Sequence, residues 1–197
     1  METPADDAED FALTLIASRH NVSPKRLAAP GPTPEQLRTL LAAAAAAPDH
    51  GLLTPWRFVV VPTGQRHRLA EAFALALVDR DPAATPAQIE AAREKAHRAP
   101  LLLLAVARLG PDDPDVPAAE RLVSLGAAIQ NLLLAAHAMG YGAGLTSGRA
   151  MTSPRLRELF ALADGELPVC CINVGTVGSH RPPRRNRPDP ETFTRDL

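Results

Sequence analysis

An α+β fold, a small and mostly antiparallel sheet packed between helices, is what this sequence predicts, and three observations predict it. Thr33-Pro34-Glu35-Gln36 and Thr85-Pro86-Ala87-Gln88 both carry a strong helix-start signature. Apolar, β-branched stretches at residues 56–61, 101–108 and 169–177 read as strands. The helices and strands do not follow a strict βαβ alternation. No internal repeat or composition break divides the chain, so residues 1–197 are expected to form a single domain, with 179–197 as an extended C-terminal arm.

Residues 8–18 are expected to form a short amphipathic helix, with Phe11, Leu15 and Ile16 on one face. Pro24, Pro30 and Pro32 keep residues 19–32 largely extended. The next helix runs to about Ala47 with Leu37, Leu40, Leu41 and Ala44 inward, and Pro48-Asp49-His50-Gly51 stops it. A strand follows at 56–61, then a helix over 65–79 through Leu69, Phe73, Ala76 and Leu77. The second capped helix extends to about His97, and Pro100 opens the strand at 101–108. Residues 118–139 form the most apolar helix. Leu125, Ile129, Leu132, Leu133, Ala136 and Met139 take one side, while Val123, Ala127, Ala128 and Leu134 make it apolar around the rest. Such a helix is buried on several sides, a second copy of itself being one candidate cover. Gly140 stops it, and a short extended piece at 141–147 follows. Ser153-Pro154 starts a small helix through Leu156, Leu159 and Phe160 before the strand at 169–177.

The charge balance, 21 Lys+Arg against 22 Asp+Glu, gives −1 and removes any default case for nucleic acid or an anionic membrane surface. Apolar residues at 46% and charged residues at 22% are ordinary globular values. No apolar run approaches the ~20 residues of a membrane helix, and the acidic start METPADDAED does not read as a signal peptide. A cytoplasmic location is therefore expected. Cys170 and Cys171 are adjacent and mid-strand, so they point to opposite faces, make poor disulfide partners and read as inert thiols. The histidines are scattered without metal-ligand spacing, and no metal site is expected.

Gly140-Tyr141-Gly142-Ala143-Gly144 has the look of a dinucleotide loop. It follows a helix and precedes a strand, the reverse of the Rossmann order, so it reads as a helix stop with close backbone packing. Three polar features stand outside the core pattern. They are Arg19-His20-Asn21, the His50 loop with Leu145-Thr146-Ser147-Gly148, and Arg184-Arg185-Asn186-Arg187. Singly, they read as a solvated helix exit, loop polar groups and a basic tail. Jointly, they offer a split anion site drawn from both chain ends, and arginine suits bidentate phosphate recognition.

The joint pattern resembles the flavin-dependent nitroreductase family, especially its smallest members. The resemblance rests on Ser18-Arg19-His20-Asn21-Val22, Ala47-Pro48-Asp49-His50-Gly51 and Thr54-Pro55-Trp56-Arg57-Phe58. It continues through the helix Gly126–Met139 and Gly140-Tyr141-Gly142, then Val174-Gly175-Thr176 and the arginine tail. It implies a homodimer with FMN at the subunit interface and NADH or NADPH as co-substrate. By the same resemblance Arg19 approaches the flavin N1/O2 edge and ribityl chain. His20 and Asn21 approach the phosphate, as do Arg185 and Arg187. His50 supplies a further flavin contact, and Leu145, Thr146 and Ser147 lie along the flavin. The expected reaction is ping-pong hydride transfer through the flavin to nitroaromatic, quinone or related acceptors, with no side chain demanded as acid or base. Flavin fragmentation, reductive dehalogenation or a non-catalytic flavin-binding role are the alternatives on the same fold. The chain departs from the pattern at Asn21, where many members have Ser, and at Leu52, where larger members place Asn. It departs again at Leu145-Thr146, where the minimal branch often has Trp-Arg.

Overall fold

The computed structural model describes residues 4–110, 115–178 and 187–197. Helix α1 spans Pro4–Ser18 and is followed by a two-residue strand β1, Leu27–Ala28. Helix α2 (Pro34–Ala45) begins at a reciprocal cap. Thr33 Oγ1 accepts from the Gln36 amide at 3.2 Å and Gln36 Oε1 accepts from the Thr33 amide at 2.8 Å. Strand β2 is Trp56–Val60 and helix α3 is Arg66–Arg80. Helix α4 (Pro86–Arg93) repeats the same cap at Thr85 and Gln88, then tightens into a 3₁₀ turn, Glu94–His97. Strand β3 (Leu101–Arg108), helix α5 (Ala118–Ala138), strand β4 (Gly142–Thr146), helix α6 (Pro154–Leu159) and strand β5 (Glu166–Val177) complete the described elements.

All pairings in the sheet are antiparallel. Strand β5 is the centre. Strand β3 runs along one edge of it, from Leu101↔Val174 to Arg108↔Glu166, and β2 lies outside β3. The other edge is shared by β4, from Gly142↔Gly175 to Thr146↔Cys171, and by β1 at Val177. Helices cover both faces. Leu103, Ala105, Cys170, Ile172 and Val174 pack on α2 and α5, while Leu102, Leu104, Val106 and Cys171 pack on α3, α4 and α6. The predicted α+β sandwich is thus the observed one, and the two cysteines do take opposite faces.

Strand β5 starts earlier than the expected residue 169. Proline is normally excluded from a central strand because it cannot donate to the ladder. Here the register slips between Ala105↔Cys170 and Val106↔Pro168, leaving Val169 as the extra residue of a bulge that accommodates Pro168. The strand then continues out to Glu166, whose carboxylate meets Arg57 from β2 in a two-pronged ion pair: Nε–Oε1 2.7 Å and Nη2–Oε2 2.8 Å. The Arg57 hydrogen bond is the main reason the Glu166 pKa falls to about 2. Because the folded-state value lies below the unfolded one, this pair stabilises the fold fully above the ordinary carboxylate range. That contribution is lost as the pH falls toward the folded-state value. Urea unfolding at about pH 5 and about pH 2.5 is expected to show an acid loss that includes about 2 kcal/mol from this group. In Glu166→Gln that share disappears from the pH dependence, and an unchanged acid slope would contradict the assignment.

Arg66, at the start of α3, is a second structural cation. It is buried and donates to the carbonyls of Val61 (2.7 Å), Ala96 (2.7 Å), Ala99 (3.2 Å) and Pro100 (3.2 Å), tying α3 to the approach of β3. The outer face of α1 and α5 carries exposed apolar side chains, Phe11 at 65% and Val123 at 70%. The inward stripe of α5 is buried from Leu125 to Ala136, with Met139 half-buried, while Val123 looks outward with none of the described residues covering it.

Candidate functional site

Strand β4 organises the site. Helix α1 ends at Ser18, and the chain beyond it is pinned to β4. The Val22 amide donates to Ala143 O at 2.9 Å, and the Leu145 amide donates to Asn21 Oδ1 at 3.1 Å. This contact is close enough that a Cβ on Gly144 would sit 2.2 Å from Val22 O, so only glycine fits. Gly140 stops α5 at φ +82°. The glycine-rich segment therefore has the packing role its order relative to the helix predicts.

Ser18 Oγ lies 3.3 Å from Leu15 O and shares a hydrogen bond of 2.9 Å with His137 Nε2, near the end of α5. A cavity of about 260 Å³ opens here, lined by Arg19, His20, Leu133, His137, Tyr141 and neighbouring backbone, with no carboxylate among its lining residues. Arg187, from the far end of the chain, donates through Nη2 to the Arg19 carbonyl at 2.7 Å. Burial and then the Arg187 charge lower the Arg19 pKa. Burial, His20 and Arg19, in that order, lower that of His137. Both shifts have one cause: cations crowd into a partly desolvated space without an anion to balance them. A phosphate is the group that such a donor set fits.

A second cavity, of about 480 Å³, lies past the end of β4. Thr146 and Ser147 form part of its wall, Phe73 and Leu102 give it apolar surface, and Lys95 and Arg149 bring positive charge. Thr146 is held by Asn173 of β5, whose Nδ2 donates to Thr146 Oγ1 at 3.0 Å and to Gly144 O at 3.3 Å. Lys95, Arg149 and Asn173 were not among the predicted site residues. Arg149 follows the polar loop at 145–148 directly, so a search for charge just past that loop would have found it. Lys95 and Asn173 carry no local signal, because helix α4 and the β4–β5 register bring them in from elsewhere.

His50 sits apart from the Arg19 cluster. Its Nδ1 is 2.7 Å from Glu120 Oε2, near the first turn of α5. His137 is near the last, about 25 Å along the same helix at 1.5 Å per residue. The His50 loop is sharply wound: Gly51, Leu52 and Thr54 have φ of 67°, 56° and 45°, and the Asp49 carboxylate accepts from the Thr54 amide. Just beyond it, Trp56 Nε1 donates to Ser124 Oγ at 3.1 Å, locking the Pro-Trp-Arg-Phe segment to α5. The chain thus gathers Arg19, His20 and Arg187 in one place, runs Leu145, Thr146 and Ser147 along the adjoining strand end, and leaves His50 at the other end of α5. Asn21 spends its side-chain oxygen on β4. Arg185 lies outside the described residues.

The Nitroreductase family profile matches residues 16–176, from the last turn of α1 to the end of β5. The chain belongs to the nitroreductase family. A Haemophilus influenzae protein named "Putative NAD(P)H nitroreductase" is 35% identical over 165 residues, covering 84% of this chain and 88% of its own length. YdjA of Escherichia coli K12, similarly named, is 36% identical over 185 residues and covers 92% of this chain and 97% of its own. The nitroreductase fold is equally plain in three dimensions. A nitroreductase-like family protein from Bacillus cereus superposes with a TM-score of 0.80 at 19% identity, over 94% of this chain and 95% of its own. A nitroreductase from Desulfitobacterium hafniense DCB-2, described with bound FMN, gives 0.67 at 20% identity over 94% and 97%.

Proposed function

We propose that this nitroreductase-family chain is an FMN-dependent oxidoreductase that passes a hydride from NADH or NADPH to a nitroaromatic, quinone or related acceptor. The observation that carries this reading is the meeting of Arg19 and Arg187 beside His20 and His137, a cationic nest for the FMN phosphate. The names of the relatives and the FMN described in the D. hafniense protein support it. Bound FMN would accept the hydride from the nicotinamide and deliver it to the acceptor. The protein's part is placement and charge. Arg19, His20 and Arg187 hold the phosphate. Thr146 and Ser147, at the far end of β4, would border the flavin ring, and the apolar part of the cavity they line would help to shield it. Lys95 and Arg149 offer positive charge to the electron-rich edge of the reduced ring. Arg149 also restores, three residues on, the cation that Thr146 lacks.

The reading includes a homodimer. The uncovered apolar strip of α1 and α5 needs a partner. Pairing the α5 helices of two copies head to tail about a twofold axis would set the His50 loop of one copy beside the Arg19 cluster of the other, closing the 25 Å gap. The purified protein is expected to be yellow, to elute at twice the chain mass, and to bleach anaerobically with NADH or NADPH. Protein that is colourless and cannot be reconstituted with FMN would sink the proposal. Bound flavin that neither nicotinamide bleaches would favour the non-catalytic alternative.

A further inference from the structure

Resting on the FMN reading above, we propose that His137 is a proton-dependent member of the phosphate site: binding of the flavin phosphate draws a proton onto its imidazole, and flavin is held less tightly as the pH rises. Histidine titrates near neutrality, so a modest change in its surroundings decides its charge. His137 lines the same small cavity as Arg19 and His20. Ser18, the residue just before that pair, fixes the ring. Its Oγ lies 2.9 Å from Nε2 and 3.3 Å from Leu15 O, so the ring is held at one nitrogen against the end of α1.

The groups facing His137 come from each neighbouring segment. Arg19 and His20 follow α1, Tyr141 lies in the turn after α5, and Arg187 from the C-terminal segment stands behind Arg19. None is a carboxylate. Without a ligand, burial and then the neighbouring His20 and Arg19 therefore disfavour a charge on His137, which lowers its pKa. A phosphate dianion placed among them reverses that balance. The imidazole then takes up a proton over the interval between its free and bound pKa values, and affinity falls as the pH climbs through the bound value.

The test is FMN affinity of the apoprotein, read by quenching of flavin fluorescence, from about pH 6 to about pH 8.5. The dissociation constant of the unmodified protein is expected to rise about tenfold across this range. The phosphate itself becomes more anionic above its second pKa of about 6, an effect of opposite sign, so weakening must come from the protein. In His137→Gln the rise is expected to shrink sharply, and in His67→Gln, at the start of α3 and outside this cavity, to persist in full. Riboflavin, which lacks the phosphate, should show no such rise. Calorimetry of the unmodified protein in buffers of different ionisation enthalpy should register proton uptake on FMN binding, a readout independent of any variant's folding. A pH-independent constant, a rise that survives in full in His137→Gln, or an equal rise with riboflavin would each overturn the role of His137 while leaving the FMN reading intact. Absence of any flavin binding across the range would overturn both.

Discussion

Arg19→Ala is expected to weaken FMN binding by about a hundredfold while leaving the fold intact. On the proposed reading Arg19 would supply charge-assisted hydrogen bonds to the phosphate from a partly buried position, and each such bond contributes about 1.5–3 kcal/mol. Among the described residues the side chain makes no ion pair that its removal would orphan, and Arg187 binds its carbonyl, which alanine keeps. Removing Arg19 also relieves the crowding of Arg187 and His137, so thermal stability without flavin should be unchanged or slightly raised. Parallel measurements of FMN affinity and of melting in the flavin-free protein separate the two effects. Full retention of affinity would contradict the placement of the phosphate.

Gly144→Ala should act through the fold instead. The new methyl group would overlap Val22 O at 2.2 Å, and both partners in that collision are backbone held in place by hydrogen bonds. Relief requires residues 18–22 to lift from β4, breaking the Val22–Ala143 and Asn21–Leu145 bonds and moving Arg19. A cost of about 3 kcal/mol is expected, which corresponds to a melting temperature lowered by about 10 °C in a chain of this size. Flavin affinity should fall with it. A variant that melts like the unmodified protein would mean the two segments are not in register as described.

Much of the fold was legible because its signals are local. The capping boxes at Thr33 and Thr85 need only four residues each to declare a helix, and both formed as read. The unbroken apolar run of β3 could belong only to a strand covered on both sides. What escaped was set by partners far away in sequence. The first residues of β5 were hidden because Pro168 argues against a strand until the bulge opposite β3 is known. Of the site, the Arg19 and Arg187 pairing was anticipated from charge at the two chain ends. Asn21 reads from the sequence as a phosphate ligand; that its oxygen also holds the Leu145 amide is visible only once β4 lies beside it, and that bond does not use the Nδ2 donor. His50 was read as part of the same site, and the length of α5 shows why a single copy cannot bring it there.

The back-to-back thiols of β5 have one more consequence. Burial lifts Cys170 to about 11 and Cys171 to about 12, and the two pack beneath different helical layers. Cys171 also borders the larger cavity, whereas Cys170 meets an alkylating reagent at neutral pH only when the α2 and α5 layer lifts, so the time course of Cys170 modification keeps count of how often that side of the central strand is laid bare.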